Sequence, residues 1–472
     1  MAERNPLTYE LKNGWKEMSP EIREDAMAFC GDYIRFLNDA KTERESVTVM
    51  VSMLQSAGFV DFNTYIAGNK SVKPGDKIYW VNREKALIAA VVGNQDPTLG
   101  MNMVGAHIDA PRLDFKPNPL CDDGGFVMAK THYYGGIKKY QWVAVPLAIH
   151  GVILRKDGTK FNIRIGENPG DPVFYISDLL PHLAGDQMGN TASKVVSGEQ
   201  LKVVLGSIPG TETEEDGEKR SLKENLLTLL HEQYGLSESD FLRGEIEVVP
   251  AFQAGDVGLD RSLVGGYGQD DRVCSYTGLR ALLDLEGVPS KTAVCYLSDK
   301  EEIGSVGNTG ARANWLENFV LELCHAWNPS YEMVALRRSL SNTCFLSADV
   351  TAAFDPCYPE VYEKGNSAFA GCGVAIAKYT GSRGKSGASD ASAELVASVT
   401  DIFDGEQIPW QIAELGKVDA GGGGTIAQFM TDIGMDVLDC GVPVISMHSP
   451  YEVTSKADVY WTYRAYRAFM QG

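Results

Sequence analysis

The sequence predicts an α/β fold: a mostly parallel sheet covered by helices and interrupted by an inserted β-rich domain. From residue 260 onward, short apolar runs such as Thr292-Ala-Val-Cys-Tyr-Leu297 alternate with segments of helical periodicity. That is the rhythm of a parallel sheet with helices on both faces. Between residues 115 and 259 the rhythm is lost, and strand-like runs follow one another. The chain's 472 residues also exceed what one hydrophobic core ordinarily organises. The expected division is a principal domain in two parts, 1–114 and 260–472, with residues 115–259 inserted between them.

The elements follow in order. Ser19 before Pro20 predicts an N-cap and a helix running to about residue 38. The capping box Thr42-x-x-Glu45 opens a second helix that stops at Gly58. Strand patterns lie at 77–81 and 86–92, and the apolar run from Met101 breaks at His107 before Pro111. Inside the insertion, 142–147 and 151–154 are strand-like. Lys156-Asp-Gly-Thr159 is a hairpin turn into 161–165, residues 211–220 form a charged, unpatterned loop, 222–234 is helical and 245–252 alternates. Beyond it helices are expected at 276–285, 313–327, 391–403, 425–433 and 456–470. Strands are expected at 292–297, 343–348, 410–414 and 442–447.

Composition excludes several function classes. Forty-three basic against 63 acidic side chains leave a net charge of −20, which argues against nucleic acid or an anionic membrane as partner. No stretch of eighteen apolar residues occurs, and Met1-Ala-Glu-Arg-Asn-Pro6 carries no apolar signal. The nine cysteines form no C-x-x-C pair. Cys295, Cys324 and Cys344 sit in apolar runs as small hydrophobes, so a reduced, cytoplasmic location is expected.

The chemistry centres on Ser298-Asp-Lys-Glu301-Glu302-Ile-Gly-Ser305, where two adjacent carboxylates follow a buried strand. In an extended strand end they would point to opposite sides, one to a metal and the other to a proton. His107, Asp270, Asp349 and His448 also fall at strand ends or in the loops just after them. Taken singly, a histidine there is a core residue and an aspartate a helix N-cap. Together with Glu302 they give two imidazoles and three carboxylates, a donor set for two divalent ions such as Zn²⁺, Co²⁺ or Mn²⁺. Asp109 would orient His107 from behind, and Glu301 is left as a general base.

These segments resemble the aspartyl aminopeptidase family of dinuclear, co-catalytic zinc aminopeptidases. The family's G-A-H-x-D matches Gly105 to Asp109, and D-N-x-x-S matches Asp270 to Cys274 with Asp271 in place of Asn. D-N-E-E-V-G-S matches Asp299 to Ser305, S-A-D-x-x-x-A-x-x-P matches Ser347 to Pro356, and M-H-S matches Met447 to Ser449. The resemblance implies Asp270 as the carboxylate between two ions and His107, Glu302, Asp349 and His448 as the other ligands. It implies Glu301 as the base and Asp109 as the partner that holds the His107 ring. Lys378 and His182 (in Pro181-His-Leu-Ala184) correspond to substrate-binding segments. The implied fold is a catalytic domain interrupted by a dimerisation domain, assembled as a tetrahedral dodecamer built from dimers. The implied activity is removal of the N-terminal residue, acidic by preference, from short peptides. Alternatives are a deacylase or carboxypeptidase on the same scaffold, with Arg383 or Lys378 holding a substrate carboxylate, or a chamber-forming scaffold without catalysis.

Overall fold

Residues 7–210 and 221–472 are described by a computed structural model. The first six residues and the charged segment 211–220 lie outside the described residues. The chain divides into two compact units. One comprises Met1–Asp109, Ala254–Met447 and Tyr451–Gly472, the other Ala110–Gln253 with His448–Pro450.

The larger unit is built on a nine-stranded mixed sheet. Five of its eight neighbouring strand pairs are parallel and three antiparallel. Its middle consists of four parallel neighbours: Thr292–Ser298, Met101–His107, Cys344–Ser347 and Asp436–Gly441. Side chains alternate cleanly across it, because successive residues of a strand face opposite sides. Ala293, Cys295 and Leu297 join one hydrophobic cluster, with helices Pro20–Asp39, Gln269–Leu283 and Lys456–Gln471. Val294 and Tyr296 join the other, with helices Trp315–Trp327 and Met333–Ser341. Gly105 is required at the centre, since a Cβ there would lie 2.1 Å from the Phe345 ring. A second sheet of five strands in this unit contains Leu263–Gly266, Pro443–Ile445 and Glu452–Ser455.

The smaller unit carries a six-stranded antiparallel sheet. Its order in space is Lys160–Ile165, Leu147–Leu154, Gly244–Pro250, Arg112–Asp123, Phe126–Tyr134, Lys202–Gly206.

Local signals in the sequence translate directly. Ser19 accepts from Ile22 N–H, Thr42 and Glu45 form the capping box, and the helix Leu222–Tyr234 has the expected bounds. Other expectations are corrected. Residues 142–147 are not a strand: Ala144 has φ 58°, Pro146 follows, and pairing begins only at Leu147. The strand expected at 442–447 is Pro443–Ile445 of the small sheet, while the main sheet takes Asp436–Gly441. Two aspartates had hidden that strand, yet Val437 and Leu438 are buried on its two faces. The helix expected at 425–433 shortens to Ala427–Asp432, and helix Met333–Ser341 was not expected. Cys295 and Cys324 are buried, whereas Cys344 is half-buried. Among the described residues no helix is long and apolar enough to cross a membrane.

Candidate metal centre

The carboxyl ends of the parallel strands converge on one cluster, where sites in open α/β sheets form. His107 ends Met101–His107, and its paired neighbour Ser298 ends Thr292–Ser298 and leads into Glu301 and Glu302. Asp349 follows Cys344–Ser347 by two residues. Asp270 and Asp271, neither of them helical in conformation, precede the regular part of the helix Gln269–Leu283, behind a left-handed Gly268. A Cβ at Gly268 would collide with the Arg272 guanidinium, which donates to the carbonyls of Tyr267, Gly268 and Ala40 and fixes this turn.

Two overlapping groups of ligand atoms result, each within 4.8 Å: His107 with Asp270 and Glu302, and His107 with Asp271 and Asp349. His107 Nε2 lies 3.1 Å from Asp270 Oδ1, 3.8 Å from Asp349 Oδ1 and 4.0 Å from Glu301 Oε2. Its Nδ1 faces the Asp109 carbonyl oxygen at 3.0 Å and Asp109 Oδ1 at 3.3 Å. Nδ1–H is thereby directed at Asp109, and Nε2 is the ring nitrogen that faces the other carboxylates. The fully buried Asp109 has a second task. Its Oδ1 accepts the Glu301 N–H at 3.1 Å and its Oδ2 the Glu302 N–H at 3.2 Å. One carboxylate thus fixes both the imidazole and the loop carrying the glutamate pair.

Glu301 and Glu302 do not extend a strand. They begin a short 3₁₀ turn, Glu301–Ile303, and neighbours in such a turn still diverge, by about a third of a turn.

The electrostatics test whether cations fit. Burial pushes the Asp271 carboxyl well above the usual carboxylate range, His107 opposing and the Asp270 charge adding to the rise. Asp349 is raised in the same way by burial and by Asp271. Burial alone would lower His107, but Asp109, Asp270 and Asp349 outweigh it and hold the imidazole well above its ordinary value. Buried carboxylates that repel one another, gathered on a single imidazole, are a donor set that divalent cations relieve. The residues present therefore fit zinc.

Of the site residues expected from the sequence, His107, Asp270, Glu302 and Asp349 are brought together, with Glu301 and Asp109 beside them. His448 belongs to neither group; it follows the strand Pro443–Ile445 with φ 63°, and its Nδ1 lies 2.8 Å from the Gly136 carbonyl oxygen. Lys378 is exposed just after Val374–Ala377, and His182 is exposed in the short turn Pro181–Leu183 of the smaller unit.

Asp271, which the sequence offered in place of a family Asn, joins the site, and two further supporting residues escaped the sequence. Asp271 accepts the His107 N–H through Oδ2 at 3.3 Å. Glu452 Oε2 accepts the Asp270 N–H at 3.1 Å. Ser275 donates to the His107 carbonyl at 2.7 Å. Neither Glu452 nor Ser275 carried a local signal.

Comparisons with known proteins show the family. Residues 36–470 match the family model described as aminopeptidase I zinc metalloprotease (M18). The chain is 47% identical over 466 residues to a probable M18 family aminopeptidase 1 of Clostridium acetobutylicum, covering 99% of each chain. The crystal structure of an M18 aminopeptidase from Thermotoga maritima superposes with a TM-score of 0.92 at 46% identity, over 98% of this chain and 100% of that one. A mApe1 dodecamer of S. cerevisiae, at 21% identity and TM-score 0.75 over 95% and 97% of the two chains, shares the fold. The chain belongs to the M18, or aspartyl aminopeptidase, family of zinc metalloproteases, and is an aminopeptidase, a hydrolase of peptide bonds.

Proposed function

We propose that the enzyme uses two divalent ions per chain, held by His107, Asp270, Glu302, Asp349 and His448, with Asp270 between them and Glu301 as proton acceptor. The observation that supports this reading is the gathering of His107, Asp270, Glu302 and Asp349, with Glu301 Oε2 4.0 Å from the His107 imidazole; the place given to Asp270 between the ions rests on the family's segment. When bound, the ions supply Lewis acidity, polarising the scissile carbonyl and lowering the pKa of water. Glu301 takes the proton of the attacking water and returns it to the leaving amine. Asp109 keeps Glu301 at a fixed height beside His107, since it holds the backbone of one and the ring of the other. His448 joins this set on the strength of its M-H-S segment.

The proposed substrates are short peptides with an acidic N-terminal residue, bound by Lys378 and by His182 of a neighbouring copy, in a reducing, cytoplasmic setting. The proposed assembly is a dodecamer built from dimers. The smaller unit exposes Tyr175, Leu183, Met188 and Ile208, apolar side chains available for contact with other copies. In sedimentation the protein should run far heavier than its 51.4 kDa chain. A monomer at micromolar concentration would overturn the assembly. A panel of aminoacyl substrates, assayed with Zn²⁺, Co²⁺ and Mn²⁺, tests the specificity. Turnover should be highest with N-terminal Asp or Glu. Turnover confined to apolar or basic N-terminal residues would refute the acidic preference, and release of C-terminal residues would refute the aminopeptidase reading of the site.

A further inference from the structure

The loop that carries Glu301 and Glu302 is fastened at two places. Asp109 holds its tip through the two backbone N–H groups. Its neck closes where Asp299 meets Thr309: the Asp299 N–H donates to the Thr309 carbonyl at 3.2 Å, and Asp299 pairs with Gly310 as an isolated bridge.

Three side chains complete that closure. The Lys300 ammonium donates to Thr309 Oγ1 at 3.2 Å, and Thr309 Oγ1 donates in turn to Asp299 Oδ2 at 2.6 Å. Lys300 Nζ also stands 3.8 Å from Asp299 Oδ2, and Asp299 and Thr309 are each 1% exposed. Lys300 adopts φ 63°, the left-handed region that favours Gly, Asn and Asp, so its backbone has no local reason to be there. The turn it begins depends on that conformation, because its carbonyl accepts the Ser305 N–H at 2.7 Å. Beside that backbone contact, the lysine's ammonium makes a second contact across the loop, to Thr309. From the other side, Asn82 donates to the Asn308 carbonyl at 2.7 Å, so residue 309 is held against a fixed neighbour.

We propose that Lys300, Thr309 and Asp299 form a positioning chain that closes the neck of this loop and sets the placement of Glu301. None of the three is assigned to touch substrate or metal. The inference rests on the reading of Glu301 as proton acceptor. A small displacement of a reacting group costs rate rather than binding, by about a hundredfold for 1 Å.

The test is a set of variants assayed with one aminoacyl substrate and zinc: Thr309→Val, Thr309→Ser, Lys300→Met, the double variant Lys300→Met/Thr309→Val, and Glu301→Gln. Thr309→Val keeps the shape and removes the hydroxyl. Its kcat should fall by about ten- to a hundredfold, with KM and bound zinc unchanged. Thr309→Ser should restore most of kcat. Lys300→Met should lower kcat in the same direction, and the double variant should be no worse than Thr309→Val, since groups acting as one unit are not additive. Should Thr309→Val fail to fold, the partly exposed Lys300→Met and the Thr309→Ser rescue carry the test. Full kcat in both Thr309→Val and Lys300→Met, or a Ser variant no better than Val, overturns the chain. So does a loss expressed in KM or zinc content alone. If Glu301→Gln is inactive while Thr309→Val is fully active, only this inference falls. If Glu301→Gln is fully active, the reading of Glu301 falls and the inference with it.

Discussion

Glu301→Gln should retain its zinc and lose about two to four decades of kcat, the contribution typical of a general base. The amide keeps the shape of the side chain and its place above Asp109, whose Oδ1 binds the residue 301 backbone and not its side chain. What disappears is the capacity to take a proton. Glu302→Gln is the contrasting variant. Glu302 shares a ligand group with His107 and Asp270, and a neutral amide is a poorer ligand for a divalent cation. Its loss should appear as weakened metal binding, partly rescued by excess zinc, whereas excess zinc should do almost nothing for Glu301→Gln. The reverse pattern would mean that the two glutamates exchange roles. Full activity in both would reduce the segment to a solvated acidic turn.

The second large effect belongs to Asp270→Ala. Asp270 stands closest to the imidazole Nε2, and its charge is also felt at Asp349, so its removal should disturb both proposed ion positions together. Zinc affinity should fall by more than the roughly 10–100-fold that losing even an outer partner costs, and activity should fall with it. A full complement of zinc in this variant would move the shared position to Asp271, which sits in the other ligand group.

The sequence made the fold class and most of the cluster legible because both depend on local patterns. Alternating apolar runs announce strands, and a lone acid or histidine at the end of such a run announces the rim of a parallel sheet. Long-range partners are different. Glu452 reaches Asp270 from 182 positions away, and nothing near either residue signals the pairing. The helix within Gln269–Leu283 was expected only from residue 276: Asp270 and Asp271 are themselves non-helical, and the buried polar Arg272 and Ser275 that follow read as loop. The strand Asp436–Gly441 was missed for the same reason: Asp439 is buried there among Thr425, Ser389 and Ser347, which hold its carboxyl though burial pushes it up to about 6. Asp109 was expected to orient His107. Its grip on the backbone of Glu301 and Glu302 needed the loop to fold back 192 residues later in the chain.

The claim on which the rest depends is that His107, Asp270, Glu302 and Asp349, with His448, hold two ions. Zinc counted per chain, after the metal-depleted protein is titrated with Zn²⁺ and freed of unbound metal, tests it most directly. Two zinc ions per chain, with activity returning as the second binds, is the result expected. Full activity at a single ion per chain, or a count that stays at one under saturating zinc, would contradict it.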